Sequence, residues 1–209
     1  MRVPVAREGW PFILTPAALA AGLWVSGHRR LAAPFAAAAL AALGFFRDPD
    51  RESPDDPRAV LAPADGRVTA VADDRDDWVG PAVRVSIFLS PLDVHVNRSP
   101  IAGRVAATTY TPGRFVAAYR AEAGRVNERC AVHLEGDGGA RITVVQVAGV
   151  LARRIVCRVG QGDKLAAGER FGLIRFGSRT DCLMPRSTEV RVRPGQRVRG
   201  GVTVLGVLA

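Results

Sequence analysis

Two uncharged apolar runs open the chain, Trp10 to Ser26 and Leu31 to Phe46, with the polar tetrapeptide Gly27-His28-Arg29-Arg30 between them. The pattern predicts a helical hairpin over residues 1–46. Each arm falls short of the roughly 20 residues that span a hydrocarbon core, so thin or tilted spans compete with a hairpin that dips in and returns. Arg2 and Arg7 would suit the basic start of a signal peptide, but Pro11 and Pro16 interrupt the first run and a second apolar run follows it. A buried soluble hairpin is the remaining reading, because Ala-rich helices also form cores. Basic residues stand at both ends and in the loop, so they do not set an orientation.

Beyond the hairpin the pattern changes. Residues 47–58 are polar and Pro-rich, the signature of a linker, and a globular domain is expected over 59–209. There, short apolar or alternating runs read as strands at 60–62, 67–71, 82–89, 103–110, 131–134, 141–147, 153–159, 171–176 and 189–192. No long amphipathic helix interrupts them. Two echoes are visible: Pro63-Ala64-Asp65-Gly66-Arg67-Val68 resembles Pro100-Ile101-Ala102-Gly103-Arg104-Val105, and the stretch from Gly162 to Gly168 resembles that from Gly195 to Gly201. Turn-plus-strand units of this kind recur in compact β sandwiches. The expected fold is therefore mainly β, a compact sandwich of the barrel-sandwich kind behind an apolar helical hairpin.

Composition sharpens this. A chain of 209 residues that is 48% hydrophobic can build a real core, and 14 Pro and 22 Gly with 6% aromatic residues fit many short strands and tight turns. The formal charge of +9, nearly all from Arg, favours a phosphate-rich partner such as an anionic lipid surface. Nucleic acid is not expected, since no basic run is interleaved with aromatics and no zinc spacing occurs. Cys130, Cys157 and Cys182 are odd in number and form no CxxC pair, which points to core thiols in a reducing compartment.

Candidate chemistry gathers at three places. Gly177-Ser178 closes the run Phe171 to Phe176 and puts a hydroxyl beside an unhindered carbonyl, the arrangement a chain needs to cut itself, although Gly-Ser alone is a common turn. Of three histidines, His28 sits in the hairpin loop and His133 alternates within a strand, whereas His95 lies in a dense polar cluster after an apolar strand. Asp65 reads first as the aspartate of a Pro-x-Asp-Gly turn. With His95 and Ser178 it would complete an acid, a base and a nucleophile, if the three meet.

Five ordered segments together resemble the short form of phosphatidylserine decarboxylase: Ala62 to Gly66, Phe88 to Arg98, Asn127 to Arg129, Ala152 to Ile155, and Gly168 to Arg179. The resemblance implies a proenzyme that cleaves itself between Gly177 and Ser178 into a β chain, 1–177, and an α chain, 178–209. Ser178 would become a pyruvoyl group, formed with His95 as base and Asp65 as its orienting partner. That group would form a Schiff base with phosphatidylserine and release carbon dioxide and phosphatidylethanolamine, with no need of pyridoxal phosphate or a metal. Arg98, Asn127, Glu128 and Arg129 are the candidate substrate contacts, and Arg153 and Arg154 would face lipid phosphates or form a solvated strand face. Longer members carry two histidines spaced HxxH, whereas here Arg98 follows His95 at that spacing, so His95 must serve both steps or another acid must help. The expected setting is the cell membrane, with the catalytic domain on the cytoplasmic side and homo-oligomerisation left open. The alternative of another class is a membrane-anchored barrel-sandwich binding module, lipoyl-like or a transporter adaptor. Lys164, the only lysine, lacks the flanking residues such carriers use.

Overall fold

The computed structural model describes residues 4–118, 120, 122–149, 154–175 and 178–209. Two compact units are present, residues 1–50 and 51–209. The first is the helical hairpin, with α1 spanning Trp10–Val25 and α2 spanning Arg29–Phe45. Pro11 stands in the first turn of α1, where the missing N–H costs nothing, and Gly27 makes the turn between the helices at φ +86°. The open end is closed by the Ala6 N–H donating to the Phe46 carbonyl at 2.8 Å and by Phe12 stacking on Phe46 at 5.4 Å between centroids. Among the described residues no helix is long and apolar enough to cross a membrane. Leu14, Leu19, Trp24, Leu31 and Leu40 are exposed.

The second unit is mainly β, as its sequence predicts. Its strands are β1 (Ala59–Leu61), β2 (Gly66–Asp76), β3 (Gly80–Leu89), β4 (Val96–Arg98), β5 (Gly103–Thr111), β6 (Arg129–Gly136) and β7 (Arg141–Val147). They continue as β8 (Arg154–Cys157), β9 (Lys164–Leu165), β10 (Arg170–Arg175), β11 (Ser178–Pro185), β12 (Glu189–Val190), β13 (Arg197–Val198) and β14 (Val204–Val207). One four-residue helix, α3 (Ala123–Val126), interrupts them. The main sheet has eight strands in the order β13-β2-β3-β11-β7-β6-β5-β9 and curls into a half-barrel, with the three-stranded sheets β1-β14-β12 and β4-β10-β8 beside it. Val85, Ile87, Val132, Leu134, Ile142, Val144, Cys182 and Met184 form the core on its inner face. Every described partner in the main sheet is antiparallel, so alternate residues of each strand turn inward.

The two sequence echoes prove to be one structural repeat. β13 pairs with the start of β2 through Val198 opposite Gly66, and β9 pairs with the start of β5 through Leu165 opposite Gly103. Both glycines are required by close approach, since a Cβ would lie 2.1 Å from the Phe88 carbonyl oxygen at Gly66 and 2.2 Å from that of Glu135 at Gly103. The segments also cross-bond reciprocally: Leu61 N–H donates to the Pro100 carbonyl at 2.8 Å, and Arg98 N–H to the Pro63 carbonyl at 2.9 Å. Matching bulges follow, between Val68 and Ala70 in β2 and between Val105 and Ala107 in β5.

Two features depart from the sequence reading. The polar stretch 47–58 is divided between the units, and its second part is bonded to the β unit. Ser53 Oγ donates to the Gly201 carbonyl at 2.8 Å, and Arg51 to Asp65. The central strand β11 falls where no strand was expected, because Arg179 and Asp181 imitate a solvated turn. In fact they form a buried ion pair at 2.6 Å on the outer face. Gly124 of α3 approaches that pair, and a Cβ there would lie 3.2 Å from the Arg179 guanidinium. Breaking such a buried pair by removing one partner costs about 3–5 kcal/mol.

Candidate active site

Ser178 is the first residue of β11, paired with Leu89 of β3, and its side chain is fully buried. Its Oγ has no hydrogen-bond partner among the described residues. Leaving a buried hydroxyl unpaired costs roughly 1–3 kcal/mol, so fold stability alone does not explain it. Phe176, Gly177 and Arg153 lie outside the described residues, and the expected cleavage position is thus seen from the Ser178 side.

On the inner face, two residues along from Ser178, Thr180 joins a buried polar network. Asn97 Nδ2 donates to Thr180 Oγ1 at 3.2 Å and to the Pro63 carbonyl at 3.4 Å, while Gln146 Nε2 donates to Asn97 Oδ1 at 2.9 Å. Gln146 sits directly across from Thr180 in the ladder, and its Oε1 is a second buried atom with no hydrogen-bond partner. In the sequence Asn97 lies inside one of the resembling segments with no role of its own, Thr180 follows the Gly-Ser pair with none, and Gln146 gives no sign of chemistry. Single polar residues in strands carry no signal until the sheet brings them together.

His95 is fully buried at the entry to β4, and its backbone carbonyl accepts from the Ile174 N–H of β10 at 3.3 Å. Its Nδ1 lies 2.9 Å from the Asp93 carbonyl oxygen. A carbonyl only accepts, so Nδ1 carries the proton and Nε2 is the basic nitrogen of the neutral ring. Asp93 is itself held, its Oδ2 accepting from the N–H and the hydroxyl of Ser90 at 2.8 and 2.7 Å.

Asp65 makes no hydrogen bond to His95. Its Oδ1 accepts from Arg51 Nη1 at 2.5 Å and from the Gly200 N–H at 2.8 Å, and its Oδ2 accepts from Arg51 Nη2 at 2.8 Å. The tautomer-setting contact expected of Asp65 is thus made by the Asp93 carbonyl. Asp65 still lies at the same end of the sheet as Ser178, since Gly66 packs on the Phe88 carbonyl and Phe88 precedes the partner of Ser178.

The candidate substrate contacts fall into distinct settings. Arg98 is buried, with Nη1 donating to the Gly168 carbonyl at 3.0 Å. Asn127 is buried and clamps the preceding loop, exchanging hydrogen bonds with the backbone of Val116 and donating to the Ala148 carbonyl. Glu128 lies against the Tyr110 hydroxyl, which burial and this carboxylate push above its ordinary range. Arg129 donates to the Arg125 carbonyl at 2.8 Å and lines an outer-face cavity of about 220 Å³ with Arg84, Arg179 and Asp181. Arg154 is exposed on β8. Among the thiols, a hydrogen bond from Cys130 brings Cys157 down to about 7, and burial pushes Cys182 up.

The chain is similar over nearly all its length to proteins of one family. Residues 39–206 match the family model described as phosphatidylserine decarboxylase. A phosphatidylserine decarboxylase proenzyme of Symbiobacterium thermophilum is 51% identical, over all of this chain and 98% of that protein. Those of Desulfotalea psychrophila and Geobacter metallireducens are 45% and 44% identical, each over 98% of this chain and 97% of the relative. The chain belongs to the phosphatidylserine decarboxylase family. Its relatives are named as proenzymes, and Ser178, His95 and Asp65 are the candidate catalytic residues of this phosphatidylserine decarboxylase.

Proposed function

We propose that the chain cuts itself between Gly177 and Ser178, and that the piece beginning at residue 178 then carries the pyruvoyl group with which the enzyme converts phosphatidylserine to phosphatidylethanolamine. The observation that carries this is the buried, unpartnered Oγ of Ser178 at the head of the central strand. A hydroxyl held without a partner is ready to attack its own peptide carbonyl. In this reading Ser178 Oγ adds to the Gly177 carbonyl carbon while His95 Nε2 takes its proton. The Gly177–Ser178 C–N bond breaks to give an ester and a free amine, which takes the proton from His95; loss of the Ser178 α-proton then expels the upstream chain as a carboxylate, and water hydrolyses the resulting dehydroalanine, through its imine tautomer, to the ketone with release of ammonia. Asp65 supplies negative charge near the imidazolium without fixing its tautomer.

A covalent group at residue 178 fits its surroundings. The position is closed from solvent and lies beside the Asn97–Gln146–Thr180 network, whose unsatisfied Gln146 oxygen is an acceptor in waiting. The ketone of that group supplies the electron sink for the pair left when carbon dioxide departs, the task otherwise given to pyridoxal phosphate. His95 Nε2, released from the cutting step, holds the proton that the departing carboxylate is exchanged for. Neither pyridoxal phosphate nor a metal is required.

The exposed Leu14, Leu19, Trp24, Leu31 and Leu40 of the hairpin support its contact with the bilayer that holds the substrate. The +9 charge suits the anionic lipids of the cytoplasmic face of the cell membrane. Replacing Trp24 and Leu40 by Glu lowers partition onto phosphatidylserine vesicles by roughly 10²-fold or more, given about 1.5–3 kcal/mol for each of the two large apolar side chains. Cutting is unaffected in that variant.

Intact mass under denaturing conditions tests the central reading. Two pieces are expected, 1–177 and a blocked piece from residue 178 onward, and treatment with phosphatidylserine and a hydride reductant adds lipid mass to the second piece alone. A single active species near 22.2 kDa, or an adduct on Lys164, rejects it.

A further inference from the structure

Arg51 is the first residue of the β unit, directly after the helical unit in the chain, and its sequence setting gives no sign of chemistry. Yet its side chain is 4% exposed and closes a bidentate fork on Asp65. The same Nη1 also donates to the Gly200 carbonyl at 2.6 Å, and the Gly200 N–H returns a bond of 2.8 Å to Asp65 Oδ1. The Arg51 guanidinium, the Asp65 carboxylate and the Gly200 peptide therefore form a closed ring. Gly200 cannot be exchanged freely, because a Cβ there would lie 3.1 Å from the Ala64 backbone.

A carboxylate offers about four acceptor positions. Three are filled here, two on Oδ1 and one on Oδ2, and one position on Oδ2 is left over. The fork fixes the plane of the carboxylate, so the direction of the remaining lone pair is fixed too.

We propose that Arg51 is a positioning residue for self-cutting, holding Asp65 so that its one remaining acceptor site serves the proton transfer from Ser178. The proposal rests on the reading above, in which Asp65 assists that transfer. Arg51 touches neither Ser178 nor His95 in any described contact and acts through Asp65 alone. Ser53, two residues on, bonds to the Gly201 and Ala167 carbonyls and holds the same stretch of chain without reaching Asp65.

The test follows cutting of full-length precursor on denaturing gels as it is synthesised in a cell-free system. Arg51→Ala slows appearance of the two pieces by roughly 10-fold, within the scale of a misplaced catalytic group and no deeper than Asp65→Asn. Arg51→Lys, which restores the charge without the fork, recovers part of the rate, and Ser53→Ala cuts at close to the wild-type rate. In an Asp65→Asn background, Arg51→Ala adds little, because the group it positions is already disabled. Wild-type or faster cutting in Arg51→Ala overturns the proposal while leaving the role of Asp65 standing. So do additive effects of Arg51→Ala and Asp65→Asn, or equal slowing by Ser53→Ala, which would make the stretch a structural strap. Normal cutting in Asp65→Asn alone overturns both the proposal and the underlying role of Asp65.

Discussion

At one end of the main sheet β13 lies against the start of β2, and at the other β9 lies against the start of β5, each pair closing on a glycine that packs against a neighbouring carbonyl. With Val68 matched to Val105, the ladder matches Ile87 to Leu134, Thr180 to Ile142 and Ser178 to Ala140. Asp65 is matched by Ala102 in the same way. The two candidate catalytic positions of one half are thus both alanine in the other, although backbone, bulge and turn are repeated. The architecture has no need of a carboxyl or a hydroxyl at these places. In the proposed reading, what the first half adds is chemistry laid on a frame that stands without it.

The largest effect is therefore expected from the smallest structural change. Ser178→Ala abolishes cutting and decarboxylation, seen as a single uncut species by mass. Its stability to urea is no lower than that of the uncut His95→Asn chain and up to about 1–3 kcal/mol higher, because the hydroxyl removed makes no hydrogen bond and alanine already serves at the matching position. Persistent cutting in this variant would remove Ser178 from the mechanism, and a large loss of stability would break the equivalence with Ala140.

The glycines test the frame itself. Gly66→Ala and Gly103→Ala each push a methyl against a strand carbonyl, at 2.1 and 2.2 Å, and both are expected to cost about 3 kcal/mol or more in urea titrations of the uncut Ser178→Ala chain. Comparable losses support a shared framework role. A mild effect at one site and collapse at the other would show that the halves bear load unequally.

The repeat was legible in the sequence because glycine at a forced approach leaves a fixed mark, and so were most strands of regular alternation, such as β7. The strand that matters most was not. β11 carries Arg179 and Asp181 on its outer face, and their ion pair is buried only because α3 comes over it from far along the chain. Arg51 was hidden for a like reason: a proline-rich polar stretch reads as a linker, and its partner lies 14 residues on, inside a turn. Asp65 and His95 stand out in the sequence as polar residues beside strand ends, and the structure places both next to strands, Asp65 before β2 and His95 before β4. The contact expected between them is instead divided, with Asp93 holding His95 and Arg51 holding Asp65.

That division moderates the next effect. Where an aspartate alone sets the tautomer of a catalytic histidine, its change to asparagine lowers the rate by roughly 10⁴. Here the Asp93 carbonyl sets it, so Asp65→Asn is expected to slow cutting by about 10- to 100-fold, or roughly 1.4–2.7 kcal/mol. His95→Ala, which removes the base, costs more, about 10²- to 10⁴-fold. Time courses of piece formation separate the two. An Asp65→Asn defect as deep as that of His95→Ala would mean that Asp65 approaches the imidazole during the reaction.

The smallest effect is expected from moving the chemistry to the other half. Ala102→Asp with Ala140→Ser restores the missing pair at the matching positions, yet no cut after residue 139 should appear in the mass spectrum. Ala140 follows the tight turn between β6 and β7, where its carbonyl accepts from the Gly136 N–H at 2.8 Å, while Ser178 begins a strand whose neighbour β3 is distant in sequence. Ala102 is exposed, and the position matching Gly200 is Ala167, whose carbonyl is bonded to Ser53. An aspartate at 102 would therefore face water without a guanidinium to orient it. The cut after 177 should proceed at its usual rate in the same molecule, serving as an internal control. A second cut in the transplanted half would show that an acid and a hydroxyl on this frame suffice, and that neither the buried imidazole nor the Arg51 fork is needed.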